Sequence, residues 1–185
     1  MILPIVAYGD PVLTKKCIDI TKAHPDLKPL INNMYDTMYK AHGVGLAAPQ
    51  IGKAIRLFIV DTSGFEDDYP DAKDFVQTFI NPIIIEESGK EWPFNEGCLS
   101  IPGIREDVLR KPTIVVQYFD EDWELIEEEF DGIIARVIQH EYDHIEGKLF
   151  VEHLSSLKRT MLRGKLNDIT AGKVDINYRM KFPRK

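Results

Sequence analysis

His140, Glu141 and His144 stand in the run His-Glu-Tyr-Asp-His, and Cys98 lies upstream in Glu96-Gly97-Cys98-Leu99-Ser100. On a helix, residues four apart lie on one face, so His140 and His144 can aim imidazole nitrogens at a single ion. Glu141 then falls beside that ion, where a carboxylate can take a proton from water; the pattern points to metal-assisted hydrolysis. A catalytic site of this kind takes three protein ligands and keeps a position open. Cys98 is the best third candidate, because a thiolate beside two imidazoles suits zinc or iron(II) and disfavours magnesium or calcium. Cys17, which follows Lys15 and Lys16 with no histidine nearby, reads as a small buried or half-buried thiol.

Several elements must position these residues. Ile133, Ile134, Val137, Ile138 and Ile145 put an apolar face on 132–146, with Gly147 as a stop, so the motif is expected on a buried helix. Leu27, Leu30, Ile31, Met34, Tyr35 and Met38 repeat at helical spacing after Asp26, a candidate N-cap, with Gly43 as the stop. That helix delivers Gly43-Val44-Gly45-Leu46-Ala47-Ala48-Pro49-Gln50, whose glycines permit close approach of another backbone. Ile55–Asp61, Thr78–Glu87, Ile104–Arg110, Pro112–Asp120 and Trp123–Phe130 read as strands, which leaves Cys98 between strands. Asp61–Asp74 looks like a surface excursion. Leu154, Leu157, Met161, Leu162 and Leu166 suggest a last helix.

The chain has 185 residues, a length suited to one domain with a sizeable core. A net charge of −7 argues against a nucleic-acid-coating protein. Two cysteines, one assigned to metal, build no disulfide framework, and no disulfide partner is expected. No apolar run approaches the roughly 18 residues of a membrane span, and no leader pattern opens the chain, so a cytoplasmic location is expected and no membrane partner. Lys173, Arg179, Lys181, Arg184 and Lys185 make 172–185 basic within an acidic chain. A solvated, partly disordered end is the expected state of that tail.

Gly43-Val44-Gly45-Leu46-Ala47-Ala48-Pro49-Gln50, then Glu96-Gly97-Cys98-Leu99-Ser100, then Gln139 through Gly147, resemble in content and order the three signature blocks of the bacterial peptide deformylases. The resemblance runs from Ile2-Leu3-Pro4-Ile5, through Asp10-Pro11-Val12-Leu13, to about Phe150. It implies a catalytic domain over 1–171 followed by the tail, and the expected fold class is α+β. Antiparallel strands would pack around a buried central helix carrying the metal motif, with an N-terminal and a C-terminal helix. Two departures are mild. Ile145 stands where leucine is frequent, and Arg136 stands among positions that are usually apolar, which bears on the side-chain pocket and not on the chemistry.

The resemblance implies a hydrolase that removes the N-formyl group from the initiator methionine of new polypeptides and releases formate. Cys98, His140 and His144 would hold one divalent ion, iron(II) as the native metal with zinc, nickel or cobalt able to replace it. Such an ion lowers the pKa of water towards about 7. Glu141 would move the proton, and Gln50 with the Leu99 backbone N–H would stabilise the oxyanion. The peptide would lie extended beside Gly45 and Gly97, its methionine side chain among Val44, Ile133 and Val137, with Arg105 near the bound chain. Work on nascent chains offers the basic tail a second reading, transient contact with ribosomal RNA.

Three other functions compete. A zinc endopeptidase shares His-Glu-x-x-His but takes its third ligand downstream, where Glu146 and His153 lie, and has no use for the Cys98 block or Gln50. A metal-holding, non-catalytic binding protein would lose the acid–base carboxylate, which is present. A closed structural zinc site needs a fourth ligand, for which His24, His42 and His153 are the spare histidines.

Overall fold

The computed structural model describes residues 1–183. In chain order the elements are β1 (Ile5–Val6), α1 (Leu27–Lys40), β2 (Gly45–Ala47), β3 (Leu57–Asp61), β4 (Val76–Ser88) and β5 (Trp92–Cys98). They continue with β6 (Ile101–Arg110), β7 (Thr113–Phe119), β8 (Leu125–Asp131), α2 (Gly132–Ile145), α3 (Ser156–Thr170) and β9 (Met180–Lys181). The fold is α+β. A five-stranded antiparallel sheet runs β2-β3-β4-β7-β8, a separate hairpin pairs β5 with β6, and β1 pairs in parallel with β9.

Strand β7 shows why the sheet has a single buried face: Ile114, Val116 and Tyr118 are buried while the residues between them are half-buried, the period of two that a pleated strand imposes. Those side chains meet Phe58, Val60, Phe79 and Phe130 from neighbouring strands, and Ala135, Val137, Ile138 and Ile145 of α2 close the layer. Leu30, Ile31, Met34 and Met38 of α1 pack against Leu46, Leu57, Ile59 and Ile80. Burying each such side chain favours folding by about 1.5–3 kcal/mol. A third cluster joins Ile101, Ile104 and Val108 of β6 to Leu149, Phe150 and to Leu162, Leu166 and Ile169 of α3. The motif helix α2 is thus buried, as its apolar face requires.

Several local expectations are corrected. Asp26 occupies the N-cap position of α1 but takes a left-handed conformation (φ 55°) with no side-chain cap bond; its carbonyl accepts the Leu30 N–H instead. Helix α1 ends two residues before His42, whose φ of 56° makes the left-handed turn expected of Gly43. Gly43 is small for another reason, since a Cβ there would lie 2.8 Å from Leu99 Cδ1. Cys98 is not between strands; it ends β5. That strand was hidden because Pro93, Asn95 and Gly97 read as turn residues, yet a two-stranded ribbon has a free edge that tolerates them. In α3, Leu157 and Met161 are 69% and 75% exposed, so the buried stripe is Leu162, Leu166 and Ile169.

The tail keeps Lys173, Arg179 and Lys181 exposed, as expected of a solvated end, but part of it is tied down. Met180 and Lys181 pair with Ile5 and Val6, and Tyr178 packs into the α1 core. Lys173, Arg179 and Lys181 therefore belong to a returning segment, while Arg184 and Lys185 lie outside the described residues.

Candidate metal centre

Helix α2 presents His140 and His144 one turn apart, ring centroids 5.1 Å from each other, towards the end of β5. Cys98 Sγ stands 3.3 Å from His144 Nε2, and one ligand atom from each of Cys98, His140 and His144 lies within 4.8 Å of the others. Among the described residues this is the one such cluster of His, Cys, Asp and Glu. Burial alone would raise the Cys98 thiol, but the facing His144 and His140 outweigh it and pull it down to about 5. A favoured thiolate beside two imidazoles is a donor set that fits a divalent transition metal.

Glu96, two residues before Cys98, is the functional residue that sequence reasoning missed. Its Oε2 lies 3.0 Å from His140 Nδ1, which leaves the other ring nitrogen of His140 free for an ion. Arg110 donates to both Glu96 oxygens at 2.7 and 3.0 Å, and Arg136 donates to Oε1 at 3.0 Å. Burial opposes the charge on Glu96, but His140 and Arg110 hold it well below the usual carboxylate range. Arg110 also binds Asp143, which in turn pairs with His153 Nε2 at 2.8 Å. A carboxylate two positions from a ligand was the available signal, since a metal-bound histidine commonly gives its second N–H to one.

Glu141 is buried and its Oε2 has no hydrogen-bond partner. Burial pushes its carboxyl up to about 7, against the pull of His140 and His144. A Cβ on Gly45 would sit 2.3 Å from Glu141 Oε1, so this glycine of β2 is needed to admit the carboxylate. Gln50 is 1% exposed and split between two tasks. Its Oε1 accepts the Ala47 N–H at 2.8 Å, and its Nε2 is thereby turned to Cys98 Sγ (3.5 Å) and Ser100 Oγ (3.3 Å). The amide both pins the glycine loop and offers an N–H to the site.

A cavity of about 450 Å³ opens over these groups. Val44, Gly45, Gly97, Arg105 and Val137 line it together with Gln50, Cys98, Leu99, His140 and Glu141, as do Phe65, Phe94 and Arg136. Ile133 does not; it is buried one turn nearer the start of α2. Arg105 is exposed and held by Asn95 Oδ1 at 3.0 Å, lying over Gly97, and not by an ion pair among the described residues. Arg136 reaches Val108 O (3.0 Å) and Trp92 O (2.6 Å) and stacks 4.5 Å over the Trp92 ring, so it closes one wall of the cavity. Phe65 comes from the segment read as a surface excursion, where it packs edge-on to Phe94. No periodicity marked it.

The residues that an endopeptidase would use are engaged elsewhere. Glu146 pairs with Arg56 and Lys16, and His153 with Asp143. Neither joins the cluster, and among the described residues no spare histidine supplies a fourth ligand.

Residues 2–160 match the family model for polypeptide deformylase. The chain is 58% identical over 189 residues to the peptide deformylase of Flavobacterium johnsoniae, covering 98% of this chain and 96% of the relative. It is 57% identical over 185 residues to that of Cytophaga hutchinsonii, covering 100% of both. The crystal structure of a peptide deformylase from Legionella pneumophila superposes with a TM-score of 0.82 at 40% identity, covering 94% of this chain and 98% of that one.

Proposed function

The chain belongs to the polypeptide deformylase family, and from that premise we propose how its own residues carry the reaction. As a peptide deformylase it is a hydrolase that removes the N-formyl group of the N-terminal formylmethionine of newly made polypeptides, releasing formate. Cys98, His140 and His144 hold one divalent ion, a reading carried by the convergence of their ligand atoms within 4.8 Å. Iron(II) is the proposed native ion, with zinc, nickel or cobalt as substitutes suited to the same donors. Bound there, the ion supplies Lewis acidity that lowers the pKa of water towards about 7.

The other groups act around that centre. Glu141, admitted by Gly45, takes a proton from the attacking water and delivers it to the departing amine. Gln50 Nε2 and the Leu99 N–H donate to the oxygen on which negative charge collects. Glu96 orients His140, and Arg110 and Arg136 keep Glu96 ionised. The peptide enters as an extended strand between the free edges of β2 and β5, beside Gly45 and Gly97, with Arg105 near its backbone. Its methionine side chain fills the cavity against Val44, Phe65, Phe94 and Val137, with Arg136 as the far wall.

We place the chain in the cytoplasm, where polypeptides are made; no helix among the described residues is long and apolar enough to cross a membrane. We also propose transient ribosome contact through the basic tail, supported by the charge and exposure of Lys173, Arg179 and Lys181 in an acidic chain. Charge reversal at these three positions tests this: equal ribosome pelleting across a salt series would remove it.

The deciding experiment for the chemistry is formate release from a formyl-methionyl peptide by anaerobically purified, metal-analysed protein. Glu141→Gln should lower kcat by about 10²–10⁴ with metal content unchanged. A variant that turns over at the parent rate would overturn the proposed mechanism.

A further inference from the structure

The family match ends at residue 160, yet residues beyond it reach the site. Strand β9 pairs with β1, the Ile5 N–H donating to Arg179 O (2.8 Å) and the Ala7 N–H to Lys181 O (2.9 Å). One residue further along, the Tyr8 N–H donates to Ser100 O at 2.9 Å. From the returning segment itself, Tyr178 Oη donates to Leu99 O at 2.8 Å. Two consecutive carbonyls of the turn after Cys98 are thus gripped by two segments that are paired with each other.

That turn needs the grip. The β5–β6 ladder shifts register between Gly97 and Cys98 and closes at the Cys98–Ile101 pair, so Leu99 and Ser100 form the turn and lie outside the ladder. The Leu99 carbonyl belongs to the peptide plane after Leu99 and its N–H to the plane before. Only the φ and ψ of Leu99 separate the two planes, so fixing one restricts the aim of the other. Tyr178 packs against Leu99 in the same cluster, and burial pushes its phenol up to about 12, so it remains a donor at neutral pH.

We propose that Tyr178 is a positioning residue for deformylation, its hydrogen bond to Leu99 O keeping the Leu99 N–H aimed at the developing oxyanion. The proposal rests on the deformylase reading given above. Tyr178 touches no reacting atom and acts through Leu99 alone. Charge-stabilising donors work by being fixed before the reaction, and a misplacement of about 1 Å can cost about 10² in rate.

The test is Tyr178→Phe in the full chain, metal-loaded, with a formyl-methionyl peptide as substrate. Loosening a donor should cost less than removing one, which costs about 10²–10³, so a fall of roughly tenfold in kcat is expected with KM within about twofold. Metal content and affinity for the deformylated product peptide should stay at parent values, since neither involves the oxyanion. The same substitution in a Gln50→Ala background should show a non-additive effect on kcat, because both groups serve one oxygen. Parent kcat in the variant, or a loss matched by an equal loss of metal, would overturn the inference while leaving the deformylase reading intact. No formate release from the parent would overturn that reading, and this inference with it.

Discussion

The two cysteines, Cys17 buried and Cys98 half-buried, sit in regions of opposite chemistry. Cys17 is 4% exposed, packed in the cluster of Phe58, Ile138 and Ile145, with its Sγ 3.8 Å from Lys15 O and no imidazole against it. Burial pushes its thiol up to about 11, and the nearby Arg56 does not offset this. Cys98 meets His144 Nε2 at 3.3 Å and Gln50 Nε2 at 3.5 Å and is pulled down to about 5. Exposure alone does not decide reactivity: a thiolate needs donors or positive charge facing the sulfur, and α2 with Gln50 supplies them to Cys98 and not to Cys17.

That contrast can be broken most severely at Cys98 itself. Cys98→Ala should abolish stoichiometric metal binding, and formate release with it, as read by metal analysis and assay; retention of the metal would mean another group completes the ligand set. Next in size, Gly45→Ala drives a Cβ into a buried carboxylate and should lower kcat by about 10² through displacement of Glu141, with metal retained. In metal-stripped protein near pH 7, iodoacetamide followed by mass spectrometry should label Cys98 and spare Cys17 until the chain is unfolded; equal labelling would refute the assigned environments.

The smallest effect comes from the region around Cys17. Glu146 is held below the usual carboxylate range because Arg56 and Lys16 outweigh the burial that opposes its charge. Its folded pKa lies below the unfolded value, so its stabilisation is present above about pH 4.3 and is lost as pH falls through the folded value. Glu146→Gln should therefore cost about 2 kcal/mol near neutral pH. The Tm difference from the parent should vanish as the solution is acidified, and a gap that persists at pH 2 would refute this.

Much of the site was legible because its residues are tied to local geometry. The i, i+4 pair on α2 can face one way only, and Cys98 had the softness to join it. Gln50 and Gly45 came from the matched blocks, and close packing against Cys98 and Glu141 explains both. What was not legible came from distance in the chain. Phe65 reaches the cavity from an irregular segment, and Arg136, on an otherwise apolar face, donates through its two terminal nitrogens to Glu96 and two carbonyls of the hairpin. Strand β9 is two residues long and pairs with the far end of the chain, so no local period could announce it.

The pairing of β1 with β9 also sets an order of events during synthesis. Translation adds residues from the amino end, so a growing copy possesses Cys98, His140 and His144 before it possesses Tyr178, Met180 or Lys181. The three clustered side chains are therefore made before the segment whose Tyr178 hydroxyl donates to Leu99 O.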